Sequence, residues 1–208
     1  GETISVSIGQ GALSLTPVSL AVMMATIANG GVRPTPHVLK AIDGGEGWEP
    51  FQLAPGAVID LQPETVETLH RGLWRVVNAR GTGGRARIDG FDVAGKTGTT
   101  QVISLSGRAA AQETSELDLR DHGWFTFFAP SNGTPEVAGA VLAEHSEHGY
   151  LAAPIARHVM QTYLAKKAGL ALPSFPRPPL LTKTTPETAQ AVVSERVVAP
   201  VARPGEID

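Results

Sequence analysis

The chain has 208 residues, of which 42% are hydrophobic, and it carries a formal net charge of −3 with no cysteine. A chain of this length buries one sizeable core, or one core plus a tail. The small negative charge gives no electrostatic basis for binding nucleic acid or an anionic membrane, and the absence of cysteine excludes disulfides and thiolate metal sites. The longest apolar run, residues 20–28, has about half the length that a membrane span needs.

The first half of the chain predicts two helices with a short strand between them. Thr16 followed by Pro17 is typical of a helix start, and residues 29–31, Asn-Gly-Gly, are typical of a helix end. A strand is predicted at 38–42, and a second helix over 63–78. The first helix should turn inward Val18, Leu20, Met23, Met24 and Ile27, with the methionines filling the core. The second should turn inward Val66, Leu69, Leu73, Trp74, Val76 and Val77.

The second half predicts a strand at 91–103, a mobile loop at 104–121, a two-stranded hairpin over 123–143 and a helix at 153–168. That helix should present an inner face of Ile155, Val159, Met160 and Leu164. Residues 171–208 are rich in proline with balanced charge, which predicts a disordered tail after a domain spanning 1–170.

Residues 95–100, Gly-Lys-Thr-Gly-Thr-Thr, are compatible with two site chemistries. Read from Gly90, the segment matches the phosphate-loop pattern G-x-x-x-x-G-K-[ST]; read from Lys96, it contains the Lys-Thr-Gly signature of serine penicillin-recognising enzymes. A phosphate loop needs an apolar strand before it and a helix after it. The residues before Gly90 are instead polar and glycine-rich, and those after Lys96 favour extended chain. We therefore interpret the segment as one strand that carries Lys96 in its middle.

On such a strand Thr97 and Thr99 share one face, and Lys96 leaves from the other. Two hydroxyls can donate to a carboxylate laid along the strand, Gly98 removes the side chain that would block it, and the ammonium adds positive charge. The pattern therefore predicts a site for an anionic ligand. An ordinary exposed strand with a solvated lysine is the alternative interpretation of these residues alone.

Residues 144–148, Glu-His-Ser-Glu-His, combine acids and histidines that in principle bind zinc. The order differs from H-E-x-x-H, and the segment follows a hairpin strand, where no helix presets ligand geometry. We predict surface hydrogen bonding at the rim of a cleft for this cluster, and no metal site.

Taken together, several segments resemble the C-terminal part of a penicillin-binding protein transpeptidase domain. They are Ser-Ile-Gly-Gln-Gly at 7–11, Leu-Thr-Pro at 15–17, Ile-Ala-Asn-Gly-Gly at 27–31, Val-Ala-Gly-Lys-Thr-Gly-Thr at 93–99, Trp-Phe at 124–125 and Phe-Ala-Pro at 128–130. The closing segment 141–157 is most similar to class B enzymes of the penicillin-binding protein 2 type, which serve cell elongation. The resemblance covers about residues 1–168.

The resemblance implies an α+β fold with an antiparallel sheet packed between helices, as in penicillin-binding proteins and serine β-lactamases, of which this chain would be the C-terminal portion. It implies a D,D-transpeptidase that cross-links peptidoglycan stem peptides by serine acyl transfer, is acylated by β-lactams and needs no cofactor. Thr97 and Thr99 would bind the terminal carboxylate, and the Thr99 N–H would form half of the oxyanion hole. Lys96 would polarise the site as its catalytic cation, and Gly98 would leave room for the substrate backbone.

The sequence departs from this family in one respect. Neither the nucleophile signature S-x-x-K nor the S-x-N signature precedes Lys96. We therefore interpret the chain, which begins at glycine, as the C-terminal piece of a longer parent. The parent would be anchored by an N-terminal segment at the periplasmic face of the bacterial cytoplasmic membrane, where it would act with a lipid-linked glycan polymerase and elongation proteins.

An alternative function keeps the fold without the chemistry: a catalytically silent module that holds peptide or a cell-wall synthesis partner in its cleft. An S-x-x-K upstream of this chain would favour the enzyme, and its absence would favour the binding module.

The missing nucleophile generates a direct prediction. Because no serine of residues 1–95 has the lysine that activates it, the isolated chain should not be labelled covalently by a fluorescent penicillin. Labelling is measured after denaturation and electrophoresis. The positive control is a penicillin-binding enzyme that contains its nucleophilic serine. A labelled band that survives denaturation would contradict the prediction.

Overall fold

A computed structural model describes residues 2–7, 9, 13–102 and 120–175. Its α-helices are α1 (Glu2–Ser7), α2 (Pro17–Ala28), α3 (Pro63–Asn78) and α4 (Ala153–Lys167). Its strands are β1 (Val32–Arg33), β2 (Ala41–Asp43), β3 (Trp48–Pro50), β4 (Ala57–Val58), β5 (Ala94–Thr100), β6 (His122–Ala129) and β7 (Val137–Ala143). All of these elements lie within one unit, Gly1–Pro173.

Helix α2 begins and ends where its sequence signals predict. The Thr16 side chain accepts a hydrogen bond from the backbone N–H of Ser19 at 3.1 Å, which satisfies one of the unpaired donors of the first turn. At the other end the Asn29 N–H donates to Ala25 O, and Gly30 and Gly31 take positive φ of 67° and 110°. Glycine adopts that left-handed backbone without strain, so the chain can leave the helix there.

The burial of α2 corrects the predicted apolar stripe. Met24 is 1% exposed, whereas Met23 is 44% and Val18 58% exposed. The expectation that both methionines fill the core is therefore wrong for Met23. The physical reason is that the sheet contacts only one side of α2, while Val18 and Met23 lie on a side that faces an open groove.

Helix α3 has the predicted bounds but a narrower buried face. Of its predicted inward residues only Val77 is buried, while Leu69 and Trp74 are exposed by 37% and 36%. The short strand predicted at 38–42 is displaced to β2, which pairs with β3, and Val38 is fully exposed.

The main sheet is antiparallel and has the order β5-β6-β7. Strand β5 is shorter than the predicted 91–103, and it pairs along its whole length with β6, so that Lys96 lies opposite Thr126 and Thr97 opposite Phe125. The predicted hairpin is confirmed as β6 and β7, which pair from Gly123 with Ala143 to Ala129 with Val137.

Helices cover both faces of this sheet, because aromatic side chains alternate along β6. Phe125 and Phe127 point to one face, where they pack in a core cluster with Ala153, Ala156 and Met160 of α4. Phe128 points to the opposite face and packs with Met24 and Ala28 of α2. The predicted α+β fold with a sheet between helices is therefore confirmed.

Helix α4 confirms the predicted final helix but corrects one residue of its inner face. Met160 is fully buried, whereas Val159 is 46% exposed, because small residues, Ala153 and Ala156, form the rest of the contact with the sheet. Its last turn is tied to the residue before β7: Lys167 Nζ donates to Glu136 at 2.7 Å and Tyr163 donates at 3.0 Å. The hydrogen bonds from Lys167 and Tyr163 lower the pKa of the Glu136 carboxyl.

Two predicted regions lie largely outside the described residues: the mobile loop at 104–121 and the disordered tail at 171–208. They stay predictions. Among the described residues, no helix combines the length and the apolar character needed to cross a membrane.

The neighbouring methionines of α2 make a matched test of the core. Replacing Met24 by Ala should lower the free energy of unfolding by about 2–5 kcal/mol, because it leaves a cavity between α2 and Phe128. The same substitution at Met23 should cost less than about 1 kcal/mol, because its side chain already contacts solvent. Urea denaturation measures both. Equal losses would show that the burial described for α2 is incorrect.

Candidate active site

Strand β5 carries Lys96, Thr97, Gly98 and Thr99 at the edge of the sheet. One side of the strand pairs with β6, and no other strand among the described residues pairs with the opposite side. An edge strand presents a row of backbone N–H and C=O groups to which an extended peptide can add. The predicted site residues therefore lie where a peptide can bind as a further strand.

The two faces of β5 carry different side chains and face different helices. Lys96 shares a face with Trp124 and Thr126, toward α2, whereas Thr97 shares a face with Phe125, toward α4. The predicted separation of the lysine from the two threonines is therefore found in the structure. The functional roles assigned to the four residues stay predictions at this point.

On the α2 side, a cavity of about 430 Å³ borders the strand. It is lined by Lys96 through Thr100, by Trp124 and by the segment before α2, including Leu13, Ser14 and Leu15. The Lys96 ammonium donates a hydrogen bond of 2.7 Å to the carbonyl oxygen of Thr97, which holds the cation along the strand. This cavity combines apolar walls with a positive charge, as sites for small anionic ligands do.

On the α4 side, a second cavity of about 300 Å³ is lined by Lys96 through Thr99, by Thr82 and by His148, Gly149 and Tyr150. The Thr82 and Thr97 hydroxyl oxygens are 2.6 Å apart, a hydrogen-bond distance. Residues 96–99 thus form a wall common to both cavities. The prediction that the 144–148 cluster lies at the rim of a cleft is confirmed for His148.

The turn at 144–149 lies directly on the sheet, and glycines make this approach possible. A Cβ on Gly149 would collide with the carbonyl oxygen of Gly98 and would lie 2.8 Å from that of Trp124. His145 and Glu147 have positive φ, and their N–H groups donate to His122 Nδ1 at 3.0 Å and to Asp121 O at 2.9 Å. The turn is therefore fastened to the start of β6.

Sequence reasoning missed three residues of this site. Thr82 belongs to a glycine-rich turn that carried no site prediction, Arg85 lies with its guanidinium carbon 4.7 Å from the centre of the Tyr150 ring, and that ring lies 5.2 Å from the ring of His148. No local pattern marks these residues, since Thr82 and Arg85 meet the segment that carries Tyr150 only through the fold. In the part of the chain that the structure describes, no group of three or more His, Cys, Asp or Glu side chains is placed to hold a metal ion.

A family model decides the relationship. The penicillin binding protein transpeptidase domain matches residues 1–161. This chain belongs to that family. The match includes all four predicted site residues, the turn that carries Thr82 and the segment 144–150.

Relatives of the transpeptidase family support the resemblance to penicillin-binding protein 2. The chain is 40% identical over 174 residues to the peptidoglycan D,D-transpeptidase MrdA of Haemophilus influenzae, covering 80% of this chain and 26% of that protein. It therefore spans about a quarter of the length of this relative.

Solved structures of the family show the same fold. Penicillin-binding protein 2 of Pseudomonas aeruginosa, in complex with WCK 5153, is 35% identical with a TM-score of 0.63, covering 86% of this chain and 36% of that one. The same protein of Helicobacter pylori, in complex with MreC, is 27% identical with a TM-score of 0.58, covering 82% of this chain and 28% of that one.

The contact between Gly149 and the Lys-Thr-Gly strand can be tested by adding a single methyl group at position 149. Replacing Gly149 by Ala should destabilise the protein by about 1–3 kcal/mol, because the added Cβ forces the turn away from Gly98. Replacing Gly44 by Ala is the control, since its Cβ would meet nothing within 4 Å. Thermal melting gives the stability, and amide chemical shifts of Thr97 to Thr99 report the strand. Unchanged shifts and stability in the Gly149 variant would contradict the described contact.

Proposed function

We propose that this chain supplies one wall of the acyl-transfer cleft of a peptidoglycan D,D-transpeptidase, with the nucleophilic serine lying outside the chain. One observation carries the proposal: Lys96, Thr97, Gly98 and Thr99 lie on a strand at the edge of the sheet, as far as the described residues show, and this strand borders two cavities. Membership of the transpeptidase family supports the same reaction class.

In the proposed reaction a serine oxygen attacks the carbonyl carbon between two terminal D-alanines, and the last D-alanine leaves as the amine. The resulting acyl-enzyme ester is then attacked by the amine of a second stem peptide, which forms the cross-link and frees the serine. A β-lactam carbonyl is attacked in the same way, except that the opened ring stays attached to the acyl group.

Each residue of the wall has a role in this proposal. Thr97 and Thr99, which share one strand face, donate hydrogen bonds from their hydroxyl groups to the terminal carboxylate of the peptide or drug. The backbone N–H of Thr99 donates to the developing oxyanion, a kind of interaction worth about 3–4 kcal/mol in the transition state. Lys96 acts as the catalytic cation that polarises the cleft, and Gly98 leaves the substrate backbone close to the strand.

The parent's setting is part of the proposal. Its relatives are peptidoglycan D,D-transpeptidases, which implies work on the cell wall. We place the parent at the periplasmic face of the bacterial cytoplasmic membrane, in cell elongation with a lipid-linked glycan polymerase. The complex of the Helicobacter pylori protein with MreC supports an elongation protein as a partner.

The proposal predicts covalent labelling of the full-length protein that carries this chain. A fluorescent penicillin should acylate it, and replacing Lys96 by Ala should slow acylation at least about 100-fold, because the cleft loses its cation. Replacing Lys40, an exposed lysine outside both cavities, by Ala is the control and should leave the rate unchanged. The rate is measured as label retained after denaturation against time.

The outcomes separate the two candidate functions. If Lys96→Ala does not slow labelling, a role of this strand in acylation is excluded. A full-length protein that is never labelled would overturn the transpeptidase proposal in favour of the silent module that only binds peptide or a partner.

A further inference from the structure

The closest polar contact of Thr97 with another side chain of the cleft comes from outside the Lys-Thr-Gly motif. Its hydroxyl oxygen lies 2.6 Å from that of Thr82, which is fifteen positions earlier in the chain. Either hydroxyl could donate in the protein without ligand. A bound carboxylate removes this freedom, because it only accepts hydrogen bonds and a threonine hydroxyl has a single proton.

If Thr97 is to donate to a carboxylate, Thr82 must donate to Thr97. Two bonds then run in one direction, from Thr82 to Thr97 to the ligand, and each polarises the next. Without the Thr82 hydroxyl, the Thr97 proton would be free to rotate away from the ligand, and part of the binding free energy would be spent on ordering it.

The turn that carries Thr82 is held rigidly enough for this purpose. The Gly83 N–H donates to Val76 O at 3.0 Å, at the end of α3. A Cβ on Gly81 would collide with the backbone of Val76, and a Cβ on Gly83 would lie 3.0 Å from the Phe125 ring. Both glycines therefore let the turn pack without a gap against α3 and the core.

The same ring connects the turn to the strand. Phe125 is fully buried and lies directly opposite Thr97 in the pairing of β5 with β6. The turn that carries Thr82 and the strand that carries Thr97 thus both pack against Phe125. This shared contact fixes the distance between the two hydroxyls. A hydrogen bond between groups already held in place costs little conformational entropy.

The geometry points to Thr82 as a positioning residue: it donates to Thr97 Oγ1 and directs the Thr97 proton toward the ligand carboxylate. This role rests on the proposed function, and it adds to that function a residue from a separate turn. The ligand group on which Thr82 acts, through Thr97, is the anionic carboxylate and not the reacting carbonyl.

The test uses the full-length protein and compares a penicillin with its neutral methyl ester. Thr82→Val, which keeps the shape and removes the hydroxyl, should lower the acylation rate constant with penicillin about tenfold and with the ester less than about twofold. Thr82→Ser restores the hydroxyl and should recover most of the loss. Thr134→Val, at the exposed turn between β6 and β7, is the control and should behave as the wild type with both compounds.

A double-mutant cycle shows whether Thr82 acts through Thr97. Adding Thr82→Val to Thr97→Val should lower the rate by less than about twofold, because the second hydroxyl no longer has a partner to orient. Independent, multiplicative losses would overturn the proposed coupling. Thermal melting of each variant separates these effects from a loss of folding.

Four further results overturn the inference. Equal losses with penicillin and ester, or no recovery in Thr82→Ser, would mean that Thr82 supports the turn only. If Thr97→Val slows acylation and Thr82→Val does not, the role of Thr82 is overturned and the proposed function stands. Absence of acylation in the wild type would instead overturn the proposed function, and the role of Thr82 with it.

Discussion

The packing of the Phe125 ring is the interaction on which the rest of this structure depends. The fully buried ring lies against strand β5 at Gly95, where a Cβ would come within 2.6 Å of it, and against the glycine-rich turn at Gly83. Glycine at both positions lets two backbones approach one aromatic ring closely. The ring therefore sets the position of the strand that carries Lys96 and of the turn that carries Thr82, although it has no polar atom of its own.

The polar residues of the site are supported by an apolar core that packs around that contact. The alternation of β6 buries Phe125 and Phe127 under α4 and Phe128 under α2, so the sheet is held from both faces, while one edge of β5 pairs with no other strand in the described part of the chain. A rigid edge strand is suited to bind an extended peptide, because its backbone groups are already in place before the ligand arrives. Strand alternation places Lys96 and Thr97 on opposite faces of β5, so one strand offers a cation on one side and hydroxyls on the other.

Much of the fold could be predicted from local signals. The bounds of α2 and α3, the hairpin of β6 and β7, and the two faces of β5 follow from a cap, a proline, a glycine or an alternating pattern, each of which acts within a few residues. The errors at Val18, Met23 and Val159 share one cause. Periodicity shows which residues lie on one side of an element, but the width of the buried contact depends on which neighbour covers it.

The sequence by itself determined the three long helices, the strands of the main sheet and the position of the Lys-Thr-Gly motif, because caps, turns and strand alternation depend on nearby residues. The fold family followed from the resemblance of its motifs. Only the tertiary structure decided that Thr82 meets Thr97, that Gly149 rests on Gly98, and that Met24 rather than Met23 enters the core. Those contacts join segments far apart in the chain, and their distances are set by how the helices pack on the sheet, which no local pattern records.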